Sequence, residues 1–169
     1  LLKREGEWLR ELLIRKDGYR IIPASRSHET LSFLDQGLED VSFSRPNSSL
    51  SWGIPVPGDQ EQTMYVWCDA LTNYISGLGF FTDHEDRSFW DQAEVMHVIG
   101  KDILRFHAAI WPGMLMSAGL ALPKSIFVHG FIVVGGKKMS KTLGNVVDPF
   151  DLIERFSAEV ARYYFLREV

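Results

Sequence analysis

EVMHVIGKDILRFHAAIWPGMLMSAGL, residues 94 to 120, decides the class of fold. EVMHVIG (94–100) is a short apolar run with branched residues, closed by glycine, and reads as a buried strand. KDILRFHAAIWPGMLMSAGL then switches to helical spacing, with an interior Pro112 that should kink or break the helix. Two further strand signals flank this unit. TMYVWC (63–68) reads as a short buried strand leading into a helix with Asp69 at its N-cap, DALTNYISGLG. SIFVHGFIVV (125–134) reads as a third apolar strand region with a hairpin about Gly130. Strand, helix, strand, helix, strand predicts an α/β chain with a parallel sheet and flanking helices. In such sheets, ligands bind beyond the carboxyl ends of the strands.

Outside that core the signals are simpler. LLKREGEWLRELLIRK (1–16) is an amphipathic helix with Leu2, Leu9, Leu12 and Leu13 in one stripe, ended by Asp17-Gly18. Residues 27–38 read as a weaker helix opened by Ser27. Residues 41–58 hold Pro46, Pro55 and Pro57 within WGIPVPG and its approach, which argues against regular structure there. Trp52 and these prolines read as a rigid connector. Asp148 caps a helix with Pro149 at its first position, DPFDLIERF, and SAEVARYYFLREV forms a last helix. The 169 residues suit one domain. The first residue is Leu1 rather than Met, so the chain reads as a fragment whose cut edges should expose apolar surface.

Composition narrows the chemistry. Eighteen Lys and Arg against 22 Asp and Glu give a net charge of −4, so a general nucleic-acid coat is excluded and any polyanion site needs local clustering. Cys68 is the only cysteine, which excludes an internal disulfide and a cysteine-based zinc finger and fits a reducing compartment. His28, His84 and His97 show no metal-ligand spacing, and no metal site is assigned. No apolar run is long enough to span a bilayer.

Local clustering is found in GGKKMSKTLGN (135–145). A phosphate-binding P-loop ending at Gly136-Lys137 would need glycine at position 131, which holds Phe131, and Ser or Thr at 138, which holds Lys138. A solvated lysine turn is one reading. The other is a hinged anion clamp: Lys138 and Lys141 lie three residues apart, glycines flank them, and the loop leaves an apolar strand. Asp102 likewise reads either as a helix N-cap or as an acceptor for ligand hydroxyls. The helix face of Ile103, His107 and Ile110, and that of Trp67, Ala70, Leu71 and Tyr74, by themselves read as core stripes.

Lys138-Met139-Ser140-Lys141-Thr142 resembles the KMSKS sequence of class I aminoacyl-tRNA synthetases, with Thr142 for the final serine. VHGFIVVGGKKMSKTLGNVVDP, WGIPVPG, YVWCDALTNYISGLG and HVIGKDILRFHAAIWPGML together are similar to the methionyl-tRNA synthetases, from about Ser51 to Val169. The resemblance implies the second half of a Rossmann-like nucleotide-binding fold over 51–156, preceded by the mostly helical end of a connective insertion (1–50). Residues 157–169 would begin a helical junction towards an anticodon-binding domain. It implies methionine activation with ATP and Mg²⁺ and transfer to tRNA(Met), with no membrane partner, in the cytoplasm or the mitochondrial matrix. Lys138 and Lys141 would hold the phosphates, Gly100 and Asp102 the ribose, and backbone at His129, Gly130 and Ile132 the adenine. Trp67, Ala70, Leu71, Tyr74, Ile103, His107 and Ile110 would wall the methionine pocket. Leu71 and Cys68 depart from the proline and leucine common there. The class's His-x-Gly-His sequence is absent from these residues, so the chain alone is expected to be inactive. Rival readings are a class I synthetase for Leu, Ile or Val, or a non-catalytic nucleotide- or tRNA-associated half-domain.

Overall fold

The structure, a computed structural model, describes the backbone of residues 2–15 and 18–168, and side chains from residue 6 onward. The expected helix end at Asp17, the side chain of Leu2 and the terminal Val169 lie outside the described residues. α1 (Leu2–Ile14) buries Leu9 and Leu13, one turn apart, and packs on α2 and on the helical stretch between the second and third parallel strands.

β1 (Arg20–Ile22) follows, a strand too short to stand out in the sequence; Ile21 is its buried residue. α2 (Ala24–Asp35) starts three residues ahead of the expected Ser27. Pro23 occupies its N-cap, and Thr30 and Leu34 face inward. The proline-rich connector is not free of regular structure. β2 (Ser44–Pro46) and β3 (Pro55–Val56) pair antiparallel on either side of β4 (Asp59–Met64). Both prolines sit on edge strands, where an absent N–H costs little.

β4 also corrects the reading of TMYVWC. The strand ends at Met64, Tyr65 is the N-cap, and α3 runs from Val66 to Ser76. Asp69 therefore sits in the first turn, where a carboxylate favours the helix dipole, rather than at the cap. β4 belongs to the small antiparallel sheet and is largely exposed, so it supplies no parallel strand. α4 (Ser88–Asp91) is a single turn that buries Trp90, whose indole N–H donates to the Ala121 carbonyl at 2.9 Å.

The parallel sheet has the order β1-β6-β5, with β5 Met96–Gly100 and β6 Ser125–His129. β6 is central and pairs parallel with both neighbours, placing Gly100 opposite His129. Between β5 and β6 the predicted long helix is irregular. A 3₁₀ turn (Lys101–Ile103) leads to a π turn (Phe106–Ile110) and then α5 (Trp111–Ser117).

Pro112 causes a rearrangement of hydrogen bonds here rather than a chain break. The Trp111 N–H donates to the Phe106 carbonyl, five residues back. In that register the His107 carbonyl would take its donor from position 112, where proline has none. The buried hydroxyl of Tyr19 supplies it instead, at 2.9 Å.

The expected hairpin lies five residues beyond Gly130. β7 (Val133–Val134) and β8 (Lys137–Lys138) pair across Gly135-Gly136, whose φ angles of +57° and +75° suit a tight hairpin turn that side chains disfavour. α6 (Pro149–Phe156) is capped as expected, the Asp148 carboxylate accepting from the Phe150 N–H at 2.8 Å. α7 spans Ala158–Glu168. The core joins Leu9, Ile21, Leu71, Ile99, Trp111 and Ile126. Apolar surface is open at Met96 and Val98 on β5, and along α6 and α7 at Phe150, Tyr163 and Leu166.

Candidate active site

Two clusters meet around the stretch that links β5 to α5. The first lies at the carboxyl ends of β5 and β6. Their parallel register sets Gly100 beside His129. A Cβ at Gly100 would stand 3.0 Å from Asp102 Oδ1 and 3.6 Å from His129 Cε1, so glycine is what lets these two side chains close over the strand end. His129 Nδ1 lies 2.7 Å from the Gly130 carbonyl, which accepts its proton.

Lys138 reaches back from β8, its Nζ 3.3 Å from Asp102 Oδ2 and 3.8 Å from the centre of the Phe131 ring. Lys101 also approaches that ring, at 4.3 Å. Phe131 is a cation platform that the sequence reading passed over; its place two residues beyond the β6 strand end was the available signal. Lys141 is exposed and forms no ion pair among the described residues. The structure thus gathers Gly100, Asp102, His129 and Lys138, but does not hold Lys141 against them. Ile132 joins through its carbonyl, which accepts from the Met139 N–H at 3.4 Å, while its side chain lines an apolar cavity of about 530 Å³ under α6 and α7.

The loop after β8 is pinned. Asn145 accepts from the Ser140 N–H at 2.9 Å and donates to the Lys138 carbonyl at 3.2 Å. A polar cleft of about 440 Å³ opens beside Asp102, between α2 and the 3₁₀ turn, and includes Glu29, Lys101 and Arg105.

The second cluster joins α3 to the π turn. Trp67 and Tyr74 are two turns apart and so share a face of α3. Trp67 stacks on Phe106, with centroids 3.9 Å apart and planes 15° apart. Tyr74 Oη lies 2.9 Å from His107 Nε2. His107 Nδ1 is 3.0 Å from the Ile103 carbonyl, which can only accept, so Nδ1 carries the proton and Nε2 accepts from the Tyr74 hydroxyl. Burial keeps the His107 imidazole below its ordinary pKa, against the Ile103 hydrogen bond, which favours the charged form. Burial also raises the Tyr74 phenol.

Of the seven expected pocket residues, Tyr74, His107 and Ile103 are linked by hydrogen bonds, and Trp67 stacks on Phe106, the chain neighbour of His107. Leu71 and Ile110 are buried in the core, and Ala70 is exposed. His97 and Trp111 belong to the ring group around Tyr74 and His107, Phe106 pairs with Trp67, and none of these three was singled out. His97 has its ring 4.3 Å from Tyr74 and accepts the Trp111 indole N–H at 3.1 Å. Its signal was a polar residue on the inward side of an alternating strand.

Residues 2–169 match the family described as tRNA synthetases class I (M). The chain belongs to this family. Among class I (M) relatives, the methionine–tRNA ligase of Mesorhizobium japonicum is 54% identical over 147 residues, covering 87% of this chain and 28% of that protein. That of Synechocystis is 48% identical over 174 residues, covering 99% of this chain and 32% of that protein. The structure of Mycobacterium tuberculosis methionyl-tRNA synthetase in complex with methionyl-adenylate superposes with a TM-score of 0.86 at 46% identity, over 99% of this chain and 32% of that one. The chain spans less than a third of the length of the relatives it matches, and its parallel sheet with flanking helices is the Rossmann-like arrangement of this class I family.

Proposed function

We propose that the protein carrying this chain activates methionine with ATP and transfers it to tRNA(Met). The observation that carries this reading is the gathering of Asp102, His129 and Lys138 at the carboxyl ends of two parallel strands, beside the Tyr74–His107 pair. The relatives' names and the methionyl-adenylate of the tuberculosis enzyme support it.

In this reading, a methionine carboxylate oxygen attacks the α-phosphorus of ATP. The bond to the bridging oxygen breaks, and pyrophosphate leaves with the charge. The tRNA terminal hydroxyl then attacks the acyl carbon, and AMP departs. Asp102 accepts the ribose hydroxyls, and backbone from His129 to Ile132 faces the adenine. Lys138 leaves Asp102 for the phosphates and, with Lys141, meets charge that grows on the leaving pyrophosphate. Such contacts lower the barrier because they strengthen in the transition state. The thioether lies among Trp67, Tyr74, Ile103 and His107, an aromatic setting suited to a soft, uncharged sulfur.

Mg²⁺ would accompany ATP. Among the described residues no group of three or more His, Cys, Asp or Glu side chains is placed to hold an ion. No step is assigned to a protein-held metal. No described helix is long and apolar enough to cross a membrane. Charging of tRNA takes place where translation runs, so we place the protein in the cytoplasm, with the mitochondrial matrix as the alternative.

The test is methionine-dependent ATP–pyrophosphate exchange by the intact protein, with Lys141→Ala beside it. The expected result is a fall of roughly a hundredfold in kcat with the methionine KM little changed. Unchanged exchange would return the loop to a solvated lysine turn. The 169-residue chain alone is expected to show little or no exchange; near-normal rates from it would contradict the division of the site between this chain and other residues.

A further inference from the structure

β5 alternates cleanly. Met96 and Val98 point outward, 52% and 66% exposed, while His97 and Ile99 point inward. An inward position on a strand ordinarily takes a branched aliphatic residue. His97 is there instead, 4% exposed, and it is enclosed by rings. Tyr74 stands at 4.3 Å, His107 at 5.6 Å and Trp90 at 6.3 Å between centroids. Its Nε2 accepts the buried indole N–H of Trp111. An aliphatic residue would fill the space but leave that N–H without an acceptor.

The links run in one direction. Trp111 begins α5 and fixes His97 from below. His97 lies against the Tyr74 ring. Tyr74 spends its hydroxyl proton on His107, whose tautomer is set by Ile103. Tyr74 is 39% exposed, and of the rings against its own, His97 is nearest at 4.3 Å, with His107 at 5.7 Å and Trp111 at 5.9 Å.

We propose that His97 is a positioning residue for the amino-acid pocket: held by Trp111, it sets the plane of Tyr74 and keeps the Tyr74 hydroxyl directed at His107. It touches neither substrate nor reacting atoms. This inference rests on the reading of Tyr74 and His107 as methionine-pocket residues.

The test is methionine-dependent ATP–pyrophosphate exchange by the intact protein with His97→Leu and His97→Gln, the glutamine amide oxygen being able to accept the indole N–H. His97→Leu raises the methionine KM about tenfold and leaves the ATP KM within about twofold. His97→Gln recovers most of the loss, a rescue that a space-filling role would not give. Trp111→Phe, which removes the N–H from the other side, reproduces the rise and adds little to His97→Leu. If His97→Leu fails to fold, the comparison of His97→Gln with Trp111→Phe decides. An unmoved methionine KM, or methionine and ATP KM values rising together without rescue by glutamine, overturns the inference. Absence of methionine-dependent exchange in the unmodified protein overturns the methionine reading, and the inference falls with it.

Discussion

The hydrogen bond from Tyr19 to the His107 carbonyl gives a sharp test of how the π turn is held. Pro112 leaves the His107 carbonyl without a helical donor, and the Tyr19 hydroxyl replaces it at 2.9 Å in a buried setting. Tyr19→Phe removes one oxygen and little volume, so packing is nearly conserved. Its cost is that of an unsatisfied buried carbonyl, about 1–3 kcal/mol. In a chain of this size each kcal/mol moves Tm by roughly 2–4 °C. Urea unfolding of the chain, followed by tryptophan fluorescence, reads the loss directly. The same substitution made with Pro112→Ala separates the explanations. That change restores an N–H at position 112, which can serve the carbonyl, so Tyr19→Phe should then cost less by about 1 kcal/mol. Equal costs in both backgrounds would refute the account, because the tyrosine would then be acting through packing rather than through the donor that proline lacks.

Other expectations follow from particular contacts. Burial, with His107 nearby, holds the His97 imidazole at about 4 against an ordinary 6.5. The folded state binds its proton less readily than the unfolded chain, so the associated stability is full above pH 6.5 and is lost as pH falls towards 4. The loss relative to His97→Gln is about 2 kcal/mol at pH 5; a pH-independent difference in urea unfolding would contradict it. Gly100→Ala places a methyl 3.0 Å from Asp102 Oδ1 at a φ of −72° that alanine tolerates. Thermal stability should therefore hardly change while the ATP KM rises several-fold. Leu9→Ala empties a fully buried site on α1 and should cost about 3 kcal/mol by urea unfolding. Asp148→Ala removes the cap on the Phe150 N–H and should cost about 1 kcal/mol, visible as lost helix by circular dichroism and lower Tm.

The candidate site was partly legible. Gly100, Asp102 and Lys138 were readable as a glycine at a strand end, an acid at a helix start and a lysine in a glycine-flanked loop, because local spacing carries all three. That Lys138 and Asp102 face one another across 36 positions was not readable, since it depends on the β5–β6 register and the Gly135-Gly136 turn. His97 looked like a histidine without ligand partners. Its meaning came from Trp111 and Tyr74, which the fold brings from other elements. Asp69 was misplaced as a cap because a strand end and a helix start at Tyr65-Val66 share the same apolar run, and periodicity cannot divide it.

The sequence by itself determined the Leu9–Leu13 face of the first helix, the cap at Asp148, the α/β class and the family, since each rests on residues close together in the chain. The tertiary structure alone decided that Arg20–Ile22 is a strand of the parallel sheet, that the prolines at 46 and 55 pair along sheet edges, and that Tyr19 completes the π turn. Three residues bear no periodic pattern. Their conformation is set by partners about a hundred positions away, and only a folded chain supplies those partners.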